Sequence, residues 1–188
     1  MELITNNLNV VWFILLCVLF AGFFLLEGFD YGTGILLPFI GKTDVERRQM
    51  INALGPVWDG NETWMVLGGA GLYAAFPLVY STVLSALYLP IIFMVIALIF
   101  RGVAFEFRFK AHRTKHLWDL AFIWGSVLTS FLQGIILGAY IQGIKTENGI
   151  FAGGPFDWLT AFSIFTGVIG AGIVIIAILW SMYASFAI

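Results

Sequence analysis

The apolar positions of this chain fall into long blocks separated by short polar segments, and the blocks have the length needed to cross a bilayer. A hydrocarbon core takes about 20 apolar residues per helix, and at that scale the chain divides into about five spans. The first runs from about Leu8 to Leu26 and continues as helix through Glu27 to roughly Pro38. The second runs from about Val57 to Phe76 and the third from about Leu78 to Phe100, kinked at Pro90. The fourth runs from about Leu117 to Ile141, and the fifth from about Ala161 to Phe186. Between the first two, Thr43-Asp44-Val45-Glu46 reads as a capping box that starts a short surface helix, ended by Gly55-Pro56. Pro77 marks a very short turn, Arg101 closes the third span, and Gly143 to Thr160 reads as a loop.

This pattern predicts an all-α integral membrane protein. Its spans would form one four-helix bundle over residues 1–160, with loops at 39–56 and 101–117, and the start of a second bundle in the fifth helix at 161–188. Small residues mark the faces for close helix packing: Gly28 and Gly32, the run from Gly68 to Ala75, and Gly134 with Gly138. The composition agrees, with 61% hydrophobic and 11% charged residues, outside the range of soluble domains. No basic segment precedes the first apolar run, so the first helix is expected to stay rather than be cleaved as a signal peptide.

Position matters more than the net charge of -2. Of the nine Lys and Arg residues, three lie between spans one and two, five between Arg101 and Lys115, and one between spans four and five. By the positive-inside rule the loops at 39–56 and 101–117 face the cytoplasm and the N-terminus lies outside. The mixture of Phe105, Phe107 and Phe109 with Glu106, Arg108 and Lys110 suits an interfacial segment.

Against this background four acids stand out: Glu27 and Asp30, on one face by their spacing, and Asp59 and Glu62, in the first turns of span two. Acids at a helix start also complement the macrodipole, which explains Asp59 and Glu62 in isolation. A second pair at matching depth, with Trp58, Asn61 and Trp64 beside them, favours proton handling. Carboxylates gathered at depth share protons, because desolvation and mutual repulsion work against ionising all of them at once. Arg101 either snorkels to the interface or pairs with Asp119 or an acid of the cluster.

Other chemistry finds little support. Cys17 reads as a small packing residue in an apolar run, and Met65, Met94 and Met182 as packing rather than ligands. His112 and His116 fall in a basic loop, so the chain has no histidine at depth to hold a haem. No nucleophile with its base, phosphate-binding loop or metal-ligand cluster is visible, and nothing points to nucleic acid. Paired acids and Gly-rich helices would also suit half of a proton- or cation-coupled transporter, although no inverted repeat is evident. A purely structural helper would leave each acid explained by its interface position.

Ordered motifs narrow this choice. Glu27-Gly28-Phe29-Asp30-Tyr31-Gly32-Thr33-Gly34, Gly41-Lys42-Thr43-Asp44-Val45-Glu46-Arg47-Arg48 and Gly55-Pro56-Val57-Trp58-Asp59-Gly60-Asn61-Glu62-Thr63-Trp64 resemble subunit II of the cytochrome bd quinol oxidases. Ala74-Ala75-Phe76-Pro77 and Arg101-Gly102-Val103-Ala104-Phe105-Glu106-Phe107-Arg108 follow in the same order, and Gly153-Gly154-Pro155-Phe156-Asp157-Trp158 matches more weakly. The resemblance implies a non-haem subunit of a bacterial cytoplasmic-membrane enzyme that oxidises quinol and reduces oxygen to water. Its b-type and d-type haems would sit in the partner subunit I, and small single-span accessory subunits would be further partners. In some members subunit II holds a quinone without turning it over. On this resemblance Asp59 would carry protons with Glu27, Asp30 and Glu62, while Trp58, Asn61, Arg101 and Asp119 would support the structure or the subunit contact. Members of the family are about twice as long, so the chain is expected to correspond to an N-terminal portion or to a split or truncated form.

Overall fold

The computed structural model describes residues 7–170, 172 and 173. Helix α1 spans Leu8–Ile40, continuous through Glu27 and Asp30 as the sequence predicts. Its 33 residues extend about 50 Å, well beyond the hydrocarbon thickness. The capping box forms: the Thr43 hydroxyl accepts from the Glu46 backbone N–H at 3.2 Å, and the Glu46 carboxylate accepts from the Thr43 N–H at 3.0 Å. It opens α2, Asp44–Leu54. Helix α3 spans Trp58–Ala75.

The expected third span is two helices. Helix α4, Pro77–Ala86, ends before Leu87, and α5 covers Tyr88–Lys110. Pro90 causes the break, which falls three residues before it. Its ring collides with the carbonyl of the residue four positions back, Ala86, and it has no N–H to continue the ladder. Helix α5 also runs nine residues past Arg101, so Arg101 lies within a helix rather than closing one, and the Phe105–Lys110 segment forms the last turns of that helix.

Helix α6 spans Lys115–Gln142, close to the expected fourth span. The segment after it holds a small hairpin where a plain loop was expected, with β1 at Thr146–Glu147 paired antiparallel to β2 at Ile150–Phe151. Asn148 and Gly149 take positive φ values of 51° and 79°, the Asn-Gly geometry of a tight hairpin turn. Helix α7 covers Ala161–Gly170; the rest of the expected fifth span, including Met182, lies outside the described residues.

Among the described residues three helices, α1, α5 and α6, are long and apolar enough to cross a membrane by length and composition. The backbones of α3 and α6 pack on α1, and that of α5 packs on α6. Side chains close the bundle between α5 and the other two: Trp58 stacks on Phe105 at 5.0 Å, and Tyr31 packs with Met94 and Leu98. Glycines set the closest approaches. A Cβ at Gly125 would stand 2.9 Å from the Ala97 carbonyl oxygen and 2.9 Å from the Arg101 Cβ, so α6 lies directly against the α5 backbone there. Gly34 makes the same kind of approach to Ser126, and Gly134 and Gly138 seat α7 on α6. Of the small face on α3, Gly68 and Gly71 meet Phe20 and Leu16 of α1, while Gly69 faces nothing within 4 Å.

Candidate functional site

The buried residues of α5 include Met94, Ala97, Leu98, Arg101, Ala104, Phe105 and Arg108, a stripe at helical spacing. Two arginines seven residues apart therefore point into the bundle, and each gathers acids from other helices.

Arg101 is fully buried. Its Nη1 donates to Glu27 Oε2 at 3.1 Å and to Glu62 Oε1 at 3.2 Å, and its Nη2 lies 3.6 Å from Asp30 Oδ2. One guanidinium thus joins α5 to two acids of α1 and one of α3. The Tyr31 ring lies 4.7 Å from the guanidinium carbon, with the Phe105 ring at 5.6 Å, so aromatic faces add to the attraction. Asp30 also accepts from Asn61 Nδ2 at 3.0 Å, and Gln133 Nε2 donates to the Tyr31 hydroxyl at 3.1 Å. Glu27 and Asp30 are buried, while the Glu62 side chain keeps 23% of its exposure. Three carboxylates face one guanidinium, an excess of two negative charges when every acid is ionised.

Asp59 stands apart. It is exposed in the first turn of α3, three residues before Glu62, and makes no side-chain hydrogen bond or ion pair among the described residues. Of the four acids singled out, the fold brings together Glu27, Asp30 and Glu62. Trp58 and Asn61 border that cluster, and the Trp64 ring covers Gly22 of α1.

Arg101 pairs with the cluster rather than with Asp119, which belongs to a second network two turns along α5. Buried Arg108 donates from Nε to Asp119 Oδ1 and from Nη2 to Asp44 Oδ1 at 3.0 Å. Arg47 reaches Asp119 Oδ2 at 3.1 Å and donates from Nε to the Gly41 carbonyl at 2.9 Å, and Lys115 reaches Asp44 at 3.0 Å. The Lys115 ammonium bonded to Asp44, with Arg108 beside it, holds that carboxyl below its usual range. Backbone N–H groups of Thr43 and Lys42 do the same for Glu46. This network clamps α2 onto α5 and α6. Sequence reasoning placed Asp119 in a supporting role but missed Arg108 and Asp44; the seven-residue interval from Arg101 to Arg108 was the available signal.

The cytochrome bd terminal oxidase subunit II family matches residues 8–186. The chain belongs to that family. Among relatives, cytochrome bd ubiquinol oxidase subunit 2 of Bacillus subtilis is 42% identical over 166 residues, covering 86% of this chain and 49% of the relative. Cytochrome bd-I ubiquinol oxidase subunit 2 of Escherichia coli K12 is 35% identical over 175 residues, covering 89% and 46%. The probable cytochrome oxidase subunit 2 of Haemophilus influenzae is 34% identical over 175 residues, covering 89% and 46%. The chain spans about half the length of these relatives. Membership of this family, with three helices among the described residues long and apolar enough to cross a membrane, fits a multi-pass membrane protein and does not favour the transporter alternative.

Among the described residues, the His and Met side chains do not fit a haem within this bundle. His112 and His116 are exposed between α5 and the first turn of α6, and Met94 packs with Tyr31, Leu98, Leu132 and Ile135 as apolar filling. Among the described residues no cluster of His, Cys, Asp and Glu suits a metal ion. A quinone head needs donors for its carbonyls. The apolar cavity of about 270 Å³ beside α4 is lined by Thr82, whose hydroxyl is shared between the Leu78 and Gly149 carbonyls, and by Tyr140 and Thr146. Cys17, expected as a packing residue, lies on the exposed side of α1.

Proposed function

We propose that this chain supplies a non-haem subunit of a cytochrome bd-type quinol oxidase and that its Arg101 cluster handles protons bound for oxygen reduction in a partner. The gathering of three carboxylates, two of them buried, around one buried guanidinium carries this reading. Such an excess of acid over base inside a bundle is costly unless protons join it, and a site that holds exchangeable protons can pass them on. Glu62 is the most exposed of the three acids and begins one helical turn beyond Asp59, so Asp59 forms the outer station and Glu62 the entry to Glu27 and Asp30.

In this reading the b-type and d-type haems belong to subunit I, and quinol is oxidised on the assembled enzyme, with electrons passing to oxygen. A structural quinone in this subunit and small single-span accessory subunits belong to the same proposal. The complex sits in the bacterial cytoplasmic membrane with the basic loops 39–56 and 101–117 inside. Residues 1–160 form its first bundle, and 161–188 begin the second. The second ion network keeps α2 and the loop at 39–56 fastened over the inner end of the bundle, which supports a fixed entrance.

The test is made on the complete oxidase. Glu62→Gln and Asp59→Asn should slow oxygen consumption and charge separation together while leaving the haem absorption of the complex intact. Unchanged rates in both variants would remove this chain from the proton route.

A further inference from the structure

We propose that Tyr31 positions the Glu27 carboxylate for proton transfer and that Gln133, from α6, holds the Tyr31 hydroxyl in the orientation this requires. This role rests on the proton-handling reading of the Arg101 cluster and brings into it α6, which contributes no acid to that cluster.

Tyr31 follows Glu27 by four residues on α1, so the two share a face, and because helical side chains lean toward the N-terminus Tyr31 leans back toward Glu27. Their side chains are hydrogen-bonded. The Tyr31 ring has little freedom: it lies 4.7 Å from the guanidinium carbon of Arg101 and packs with Met94 and Leu98 of α5 and Leu132 and Ile135 of α6. Its hydroxyl is thus fixed by helices other than its own.

The bonds of that hydroxyl have a direction. Gln133 Nε2 donates to the Tyr31 oxygen at 3.1 Å. A phenol carries one hydrogen, and while its oxygen accepts from the amide that hydrogen is free to donate to the carboxylate, which when ionised can only accept. The chain runs from Gln133 to Tyr31 to Glu27, and accepting at the oxygen strengthens donation from the same hydroxyl. Glu27, Tyr31 and Gln133 are all buried, so bulk water does not compete for these bonds.

Arg101 Nη1 holds Glu27 Oε2 from α5 at 3.1 Å. The guanidinium only donates, whereas a phenol both donates and accepts and so keeps a bond to Glu27 in either protonation state. The charged groups facing Glu27 are Arg101 of α5, Asp30 of α1 and Glu62 of α3, while α6 presents the neutral amide of Gln133 to Tyr31.

The test uses the complete oxidase. Tyr31→Phe keeps the ring on the guanidinium and removes the hydroxyl, and Gln133→Leu removes the amide at similar volume. Ser130→Ala, on the same helix but bonded to the Ser126 carbonyl, is the control. Donation to a carboxylate acts differently on its charged and neutral forms, so losing it changes the pH at which Glu27 exchanges its proton. The alkaline limb of the pH profile of oxygen consumption should shift in Tyr31→Phe and shift the same way by less in Gln133→Leu, with Ser130→Ala at the parent position. A Tyr31→Phe enzyme with the parent profile overturns the proposal, however slow or unstable, because a tyrosine that only packs would give that result. Should Tyr31→Phe fail to assemble with its haems, Gln133→Leu decides by the same readout. If Glu27→Gln leaves oxygen consumption unchanged, the proton-handling reading fails by itself, and maps of the parent and Tyr31→Phe decide on positioning. A Glu27 carboxylate within hydrogen-bond distance of Tyr31 in the parent and displaced in the variant upholds it, and an unmoved carboxylate overturns it.

Discussion

Arg101 is the residue on which the core of this chain turns. It is buried and meets carboxylates from α1 and α3 that would otherwise repel each other. Removing one partner of a buried ion network leaves uncompensated charge, at a cost of about 3–5 kcal/mol. Arg101→Gln should therefore lower the thermal stability of the assembled complex by an amount of that order, measured by its unfolding midpoint. Asp59→Asn should not, because Asp59 is exposed and without a partner among the described residues; a stability change within about 0.5 kcal/mol is expected. Loss of oxygen reduction in Asp59→Asn with stability intact would then report on function alone. Gly125 belongs to the same argument: a Cβ there meets backbone and Arg101 at 2.9 Å, and forcing the helices apart costs about 1–3 kcal/mol. The acids were legible as a group, since charge inside an apolar block is conspicuous. That Arg101 chooses Glu27, Asp30 and Glu62 over Asp119 was not, because a helix's sequence says which of its residues share a face but not what lies opposite.

Among the elements, α2 tests how far a short polar helix depends on its ends. Its capping box was readable from four residues and forms as expected. Replacing the cap with Thr43→Ala should cost about 1 kcal/mol of local stability, seen as faster proteolysis within residues 41–57. The contacts that dock α2 are charged, and two of its carboxyls sit below their ordinary range: Asp44 through Lys115 and Arg108, Glu46 through backbone N–H groups. A carboxyl lowered in the folded state contributes stability that is fully present above its unfolded value, near 4, and is lost as pH falls through the lowered folded value. Cleavage in this segment should thus be constant from neutral pH down to about 5 and rise only as the medium becomes more acidic than about 4. A rise near neutrality would contradict this pairing. The two-helix form of the third span belongs to this scale too: Pro90 was visible, but its effect falls at Leu87, because the collision is with the carbonyl four residues earlier.

For the whole molecule, the distribution of Lys and Arg predicts which ends of the helices lie together and on which side. In a background with Cys17 replaced, a cysteine at Arg113 should react with an impermeant maleimide only in inside-out vesicles. One at Glu147 should react only from the outside, and the reverse pattern would invert the orientation. The fold agrees with the grouping of the loops, since α2, the end of α5 and the start of α6 share one ion network while the hairpin of β1 and β2 lies against α4. Burial is modest over much of this surface: the most apolar part of α1 is only 11% buried within the chain, as expected for helices facing lipid or further protein.

The sequence alone determined the all-α membrane class, the capping box and the presence of acids within apolar blocks, because these follow from residue content and local geometry. The motifs from Glu27 to Arg108 were also enough to indicate the family. Only the tertiary structure decided that three of the four acids share one arginine, that Asp59 remains outside, and that Arg108 rather than Arg101 takes Asp119. The physical reason is helix rotation. Each helix carries its stripe on its own, but the stripes are brought into register by the close approaches at Gly34 and Gly125, and a slide of α5 by two turns would carry one arginine to the other's partners.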